Sequence, residues 1–253
     1  MGWDDLFYHA PQEEHQSAPN RTAQKVLVYT NGLSYSFKRF NPNTKFMRTL
    51  LLTSAGTQVK DEIFKLFPHP KLTKLACIIT ASNPEEDKSY AIEDRACLVQ
   101  EGFQVEDIDI EGKTEIELRN RLQGKNAIYV QGGNTFYLLK CANESGFGNV
   151  VRDLTNRGVV YIGVSAGTCI ACPTIEMAAW EPADQNICNL KDLTAFNLVP
   201  FLVTPHYNQK YSETLKKEIA LAKFPVRILT DDQAILVQND IIRLVGKGEE
   251  IKL

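Results

Sequence analysis

The sharpest chemical feature of the sequence is a serine between two glycines, in Gly163-Val164-Ser165-Ala166-Gly167. The spacing matches G-x-S-x-G, in which a serine at a sharp strand-to-helix turn exposes its hydroxyl at the edge of a sheet. The apolar run VVYIGV precedes the serine and the small-residue stretch AGTCIAC follows it. A plain glycine-rich turn is the alternative, but the flanking strand and helix favour Ser165 as a nucleophile, with glycines where a Cβ would not fit.

A serine hydroxyl needs a base, and the candidates are few. Of the four histidines, only His69 and His206 lie in the α/β part of the chain. His69 stands between prolines in FPHP, with no strand to orient it. His206 ends the strand-like run FLVTPH, at the kind of position where sites of α/β proteins collect. A lone histidine is more often structural, but elimination selects His206 as the base.

The imidazole of such a pair needs an acid to hold its tautomer and to support its positive charge. Asp231 and Asp232 follow the strand-like run VRILT, again at a carboxyl end. Either carboxylate fits this role, and a solvated turn with no role is the alternative. The resulting order along the chain is Ser, His, Asp. It differs from the Ser, Asp, His order of α/β-hydrolases and indicates another fold.

A second glycine-rich turn is Gln131-Gly132-Gly133-Asn134-Thr135, between the strand-like AIYV and the helical FYLLKCA. It lacks the lysine of a P-loop and the third glycine of a dinucleotide-binding turn, which disfavours a nucleotide site. We expect the turn to donate a second backbone N–H to an oxyanion hole, beside the one at the start of the helix after Ser165.

Strands and helices that position these residues alternate from Met47 onward. Short apolar runs predict buried parallel strands, and amphipathic stretches between them predict helices. The alternation predicts an α/β fold with a mainly parallel sheet covered on both faces, closed at one edge by a hairpin that turns at Asn239-Asp240. The predicted strands are 49–55, 75–81, 127–132, 159–165 and 226–230, and the predicted helices are 91–103, 114–124 and 147–158.

The first 46 residues follow a different pattern, with one strand-like run, KVLVYT at 25–30. We predict that residues 1–46 form a poorly ordered N-terminal extension and that residues 47–253 form a single α/β catalytic domain. A natural start at Met47 is the alternative explanation.

Composition excludes several classes of partner. The hydrophobic fraction is 43% and the charged fraction 23%, which is typical of a globular protein. With a net charge of −3, the chain lacks the basic surface that nucleic acids require. No apolar run approaches the roughly 20 residues of a membrane span. The opening residues MGWDDLFYHAPQEEH show no secretory signal, so we expect a cytoplasmic protein with six reduced cysteines.

No cofactor is expected from the sequence. No cluster of His, Cys and Asp has the spacing of metal ligands, so a metal is not predicted. Cys169 and Cys172 form a C-x-x-C pair within the helix after Ser165, whereas a redox pair opens its helix. We therefore interpret them as packing thiols.

Four segments in the same order resemble the aspartyl dipeptidase (peptidase E) family, to which cyanophycinase is more distantly related. They are QGGNTFYLLK, YIGVSAG, ACPTI and TPHYNQ, and the resemblance extends from about residue 47 to the end of the chain. It implies a flavodoxin-like three-layer α/β sandwich, akin to class I glutamine amidotransferase domains. A homodimer is a further expectation.

The resemblance also assigns roles to residues. It implies Ser165 as nucleophile, His206 as base and Asp231 as acid. It further implies that Gly133 and Ala166 donate the oxyanion-hole N–H groups, and that Asn134 and Thr135, in the matching loop, bind the substrate.

Two departures concern specificity. Leu215 and Glu176 stand where the family carries arginines suited to an acidic substrate side chain. Leucine and carboxylate cannot hold a carboxylate as a guanidinium does, although Lys210, Lys216 or Lys217 could compensate in part. We predict a serine-type dipeptidase or short-peptide hydrolase without a strict preference for aspartate. The alternatives are a cyanophycinase-like or other amide or ester hydrolase, and a non-catalytic binding domain.

Overall fold

A computed structural model describes residues 47–253 in full and the backbone of two strands before them, Lys25–Thr30 (β1) and Ser34–Arg39 (β2). The chain divides into two units between residues 45 and 46. In the first unit, β1 pairs with β2 in antiparallel orientation, so the predicted strand at 25–30 is present. The prediction of poor order for the rest of 1–46 concerns residues outside the described part.

The second unit is built on a seven-stranded sheet in the order β11-β10-β3-β7-β6-β4-β5. The five strands from β3 to β5 in this order run parallel to one another, and the β10–β11 hairpin adds two antiparallel strands. Within the parallel part, β5-β4-β6-β7 follow the order of a flavodoxin-like sheet, and β3 fills the fifth place. The strands are Thr49–Thr53 (β3), Lys74–Ile78 (β4), Gln104–Ile108 (β5), Ala127–Val130 (β6), Val160–Val164 (β7), Gln233–Gln238 (β10) and Ile241–Gly246 (β11).

Helices cover both faces of this sheet, which gives the predicted three layers. On one face of the sheet, Leu51, Cys77 and Tyr129 pack against the first two helices. On the other face, Leu52 and Ile128 pack against the remaining five helices. Successive residues of a strand point to opposite faces, so uninterrupted apolar runs are required for a sheet buried on both sides. The helices are Lys60–Leu66 (α1), Ser89–Gln100 (α2), Glu115–Leu122 (α3), Thr135–Ser145 (α4), Phe147–Asn156 (α5), Ala166–Cys169 (α6) and Ser212–Leu221 (α7).

One predicted strand lies elsewhere. The run at 226–230 was expected in the main sheet, but Val226–Ile228 (β9) pairs in parallel with Leu202–Thr204 (β8) in a separate two-stranded sheet. The place beside β3 is already taken by β10, which forms an antiparallel ladder with it. The hairpin has the predicted two-residue turn at Asn239-Asp240.

The strand β5 was not predicted. Its sequence QVEDI is mostly polar because it forms the edge of the sheet, where only Ile108 of its five residues is buried. Edge strands carry polar residues that a central strand cannot.

Candidate active site

Ser165 lies at the turn between β7 and α6, as its sequence context predicts. Its backbone has φ 47° and ψ −107°, a conformation that non-glycine residues rarely adopt. A Cβ on Gly167 would lie 2.2 Å from the carbonyl oxygen of Val130, and one on Gly163 would lie 2.6 Å from that of Gly167. The two glycines thus permit the close packing that holds the serine in this strained position.

Ser165, His206 and Asp231 form a continuous hydrogen-bonded chain. The Ser165 Oγ to His206 Nε2 distance is 2.9 Å, and the His206 Nδ1 to Asp231 Oδ1 distance is 2.7 Å. Because a carboxylate only accepts, Nδ1 carries the proton that it donates to Asp231. Nε2 is then left to accept from the serine hydroxyl. The backbone of His206, with φ 58°, is also left-handed.

The structure brings Asp231, and not Asp232, to the imidazole. The Asp232 side chain is half-exposed, and its carboxylate lies 3.6 Å from Nζ of Lys247. The hydrogen bond from His206 lowers the pKa of Asp231 below its usual value, with a smaller contribution from a bond donated by Ser54, while partial burial opposes the shift. Asp231 therefore remains a carboxylate near neutral pH and can support a positive charge on the imidazole.

Ser54 is part of the same network and was not predicted. Its hydroxyl donates to Asp231 Oδ1 at 2.8 Å and accepts the backbone N–H of His206 at 2.8 Å. The residue is fully buried directly after β3. The only signal in the sequence is its position after an apolar strand, a place where small polar residues are common.

Two pairs of neighbouring parallel strands assemble this network. Ser54 and Ser165 follow β3 and β7, which are adjacent in the main sheet. His206 and Asp231 follow β8 and β9, which are adjacent in the small sheet. All four residues lie beyond the carboxyl ends of their strands, where ligands bind in open α/β sheets.

The predicted oxyanion donors, the backbone N–H groups of Gly133 and Ala166, belong to the two turns at Ser165 and make no hydrogen bond to the described residues. A Cβ on Gly132 would lie 3.2 Å from Cβ of Ser165, so the glycine turn contacts the serine. Gly133 has φ 135°, and a Cβ there would lie 2.3 Å from the carbonyl oxygen of Ala81. Only glycine fits this position.

Asn134 and Thr135 are not among the residues that line the cavity beside Ser165, and that they bind substrate stays a prediction. Asn134 is 5% exposed and caps α4, because its Oδ1 accepts the N–H of Tyr137 while its Nδ2 donates to the carbonyl of Gln185. Thr135 is also buried, and its backbone N–H donates to Asp184. These hydrogen bonds join the glycine turn to the segment at 184–185.

A cavity of about 450 Å³ opens beside Ser165 and His206. Its volume is that of a small-molecule site. None of Lys210, Lys216 and Lys217 lines it, and Lys216 instead pairs with Glu213. The lysines that could have replaced the missing arginines are therefore not at the cavity.

Cys169 and Cys172 are buried, with at most 2% exposure, and neither forms a disulfide. Burial raises the pKa of both thiols, to about 12 for Cys172. A neutral, enclosed thiol is a poor nucleophile. This agrees with the interpretation of the pair as packing residues.

Within residues 47–253, no helix combines the length and the apolar character needed to cross a membrane. The same part of the chain contains no group of three His, Cys, Asp or Glu side chains arranged to hold a metal ion.

Known proteins include relatives that are similar in sequence and in fold. An uncharacterized peptidase of Pasteurella multocida (strain Pm70) is 33% identical over 207 residues, which cover 80% of this chain and 100% of that protein. A peptidase E of a Nostoc species is 30% identical over 216 residues, covering 79% of this chain and 86% of that one. The crystal structure of a peptidase E candidate from Listeria monocytogenes EGD-e superimposes with a TM-score of 0.72 at 28% identity, covering 80% of this chain and 100% of that one.

The sequence model of peptidase family S51 matches residues 50–245, which include every residue of the hydrogen-bonded network and both glycine turns. The chain therefore belongs to peptidase family S51.

Proposed function

We propose that this peptidase hydrolyses dipeptides or short peptides through a covalent acyl-enzyme on Ser165. The hydrogen-bonded chain from Ser165 through His206 to Asp231 carries the proposal. It supplies a hydroxyl, a base within reach of its proton, and an acid that orients the base.

In the first half of the reaction, Ser165 Oγ attacks the peptide carbonyl carbon while its proton passes to Nε2 of His206. The tetrahedral intermediate collapses, the C–N bond breaks, and His206 returns the proton to the leaving amine. A water molecule then repeats the sequence on the ester and releases the acid. Asp231 stays ionised and supports the imidazolium in both halves.

The N–H groups of Gly133 and Ala166 are proposed to stabilise the oxyanion. Both are unused, and both belong to turns held in place by close backbone contacts. Donors that are already oriented need no reorganisation when charge develops on the carbonyl oxygen. Because α6 has only four residues, the individual N–H groups matter here more than the dipole of the helix.

The size of the cavity supports a small substrate. A volume of about 450 Å³ suits a dipeptide, and a longer peptide would extend out through the opening of the cavity. A strict preference for aspartate is not proposed, because Leu215 and Glu176 stand in place of the family's arginines. The six free cysteines support a reducing, cytoplasmic location, and formation of a homodimer stays a prediction.

A fluorophosphonate probe tests the nucleophile directly. We expect the wild-type protein to be labelled on Ser165, and Ser165→Ala to remain folded but unlabelled. Labelling of another serine, or none at all, would leave only a non-catalytic binding domain.

A library of unblocked dipeptides, compared between wild type and Ser165→Ala, tests the substrate class. We expect cleavage that depends on Ser165. Labelling of Ser165 without cleavage of any dipeptide would favour another amide or ester hydrolase, which β-linked aspartyl peptides and simple esters would then identify.

A further inference from the structure

Carboxylates dominate the charged side chains of the cavity. Glu85, Glu93, Asp94 and Asp184 line it, and within the described part of the chain no lysine or arginine does so. None of these four carboxylates forms an ion pair with a lysine or arginine of residues 47–253. The negative charge of the cavity is thus not neutralised by the protein itself.

The four carboxylates are not equivalent. Asp94 is fully occupied, because it accepts the N–H and the hydroxyl of Thr57, at 2.8 and 2.6 Å, and the hydroxyl of Tyr129. Asp184 accepts the N–H of Thr135 through Oδ2 at 2.9 Å, and its other oxygen has no hydrogen bond among the described residues. Glu85 accepts no hydrogen bond there from a side chain or the backbone. Glu85 and Asp184 therefore retain acceptors for a ligand, as does the exposed Glu93, whose carboxylate likewise accepts no hydrogen bond among the described residues.

Gln131 gives a second, independent indication of a ligand. The residue is 3% exposed and lines the cavity. Its Nε2 donates to the carbonyl of Ala91 at 2.7 Å, which fixes the orientation of the amide. Its Oε1 has no partner within residues 47–253, yet it is not enclosed by protein atoms. An oriented amide oxygen that is open to the cavity and has no donor is suited to accept from a cation there.

Tyr90 adds an aromatic surface to the same wall. Tyr90 is 42% exposed, and its partial burial, followed by the charges of Glu85, Asp184 and Asp87, raises the pKa of its hydroxyl to about 12. An aromatic face beside carboxylates is a favourable environment for an ammonium or guanidinium group.

This wall adjoins the proposed nucleophile. Asp184 is bonded to the N-terminus of α4, directly after the glycine turn that contacts Ser165. Ser165, Glu85 and Asp184 line one cavity of about 450 Å³, so a single bound dipeptide could contact the serine and the carboxylates together.

We propose that the preferred substrates carry a cationic side chain, lysine or arginine. This side chain is bound by Glu85, Asp184 and the side-chain oxygen Oε1 of Gln131. The inference rests on the proposed function and names its substrate class. The charge of this substrate side chain is opposite to that of the aspartate in an aspartyl dipeptide.

The test measures kcat/KM for Lys-Ala, Met-Ala and Asp-Ala, and for Ala-Lys and Ala-Met. Methionine is the neutral match, because its side chain is unbranched like that of lysine. We expect one lysine dipeptide to exceed its methionine counterpart about tenfold, the effect of one charged hydrogen bond, and Asp-Ala to be the poorest substrate. The better of Lys-Ala and Ala-Lys identifies the residue of the dipeptide that carries the cation.

The double variant Glu85→Gln, Asp184→Asn should abolish this preference: the ratio of kcat/KM for the lysine dipeptide to kcat/KM for its methionine counterpart should fall about tenfold. Glu86→Gln is the matched control, because Glu86 is exposed in the same loop and does not line the cavity. An equal loss for Lys-Ala and Met-Ala would show that the carboxylates bind the α-ammonium group instead, and would overturn the proposal. Equal rates for lysine and methionine in the wild type would also overturn it.

Calorimetry on Ser165→Ala separates the two levels of inference. One outcome is that the variant binds a lysine dipeptide more tightly than its methionine counterpart while the wild type shows neither turnover nor labelling. That result would refute the proposed hydrolase activity and support the cation site. Turnover of dipeptides without any preference for lysine would support the proposed hydrolase activity and refute the cation site.

Discussion

The hydroxyl of Ser54 donates to Oδ1 of Asp231 at 2.8 Å, the same carboxylate oxygen that accepts from His206 at 2.7 Å. The Ser54 oxygen also accepts the backbone N–H of His206. A single buried hydroxyl thus contacts both the side chain of the proposed acid and the backbone of the proposed base. We infer that Ser54 positions these two residues relative to Ser165.

Ser54→Ala should lower kcat about tenfold, because a hydrogen bond to a charged group contributes about 1.5–3 kcal/mol. The rate of fluorophosphonate labelling of Ser165 should fall in the same proportion, since both depend on activation of the serine. Thermal unfolding serves as the control for a merely structural role. A variant that loses stability but labels at the wild-type rate would contradict the positioning role.

Asp231→Asn should lower kcat on the order of 10⁴-fold, the effect of losing the acid that holds the histidine tautomer in comparable triads. Asp232→Asn is the matched control. Its side chain is half-exposed near Lys247 and does not contact the imidazole, so activity should stay within a factor of two of the wild type. Comparable losses in the two variants would show that Asp231 has no special role.

Gly133→Ala should reduce both stability and activity, because the new Cβ would lie 2.3 Å from the carbonyl oxygen of Ala81 and would displace the turn that holds the proposed oxyanion donor. Gly112→Ala is the control, with φ 65° and no atom within 4 Å of its Cβ. It should lose only the roughly 1–2 kcal/mol of a left-handed alanine. Chemical denaturation and kcat/KM measure the two effects, and full activity of Gly133→Ala would refute this account of the turn.

The contribution of Asp231 to stability should depend on pH. Its pKa in the folded state lies below the usual value of 3.8, because His206 and Ser54 donate to the carboxylate. A lowered folded pKa contributes stability above the unfolded pKa and loses it as the pH falls through the folded value. The difference in Tm between wild type and Asp231→Asn should therefore be largest above about pH 5 and should shrink towards pH 3. A difference that does not change over this range would argue against the shift.

A chain that begins at Met47 should fold and keep its activity. Every described residue of the two hydrophobic clusters lies between Leu50 and Val245, and the proposed catalytic residues lie within the same range. Circular dichroism and kcat/KM, compared with the full chain, measure the outcome. An insoluble or inactive truncated protein would show that residues 1–46 are needed for the fold or the site.

Local patterns predicted much of the fold. The apolar runs of β3, β4, β6 and β7, the helices α2 to α5 and the hairpin at Asn239-Asp240 were predicted, because side-chain period and turn residues act over a few positions. Helix α1 was not predicted. The polar edge strand β5 was missed, and 226–230 was assigned to the wrong sheet. Edge position and sheet membership depend on which neighbouring places are already filled, and no local pattern encodes that.

For the site, the sequence by itself determined the strained turn at Ser165 and, through the scarcity of histidines, the choice of His206. Only the tertiary structure decided that Asp231 rather than Asp232 contacts the imidazole, that Ser54 joins them, and that Asn134 caps a helix. The physical reason is distance along the chain: Ser54 and Asp231 are 177 positions apart. Their contact arises from the packing of two sheets, whereas the turn at Ser165 is specified by the residues next to it.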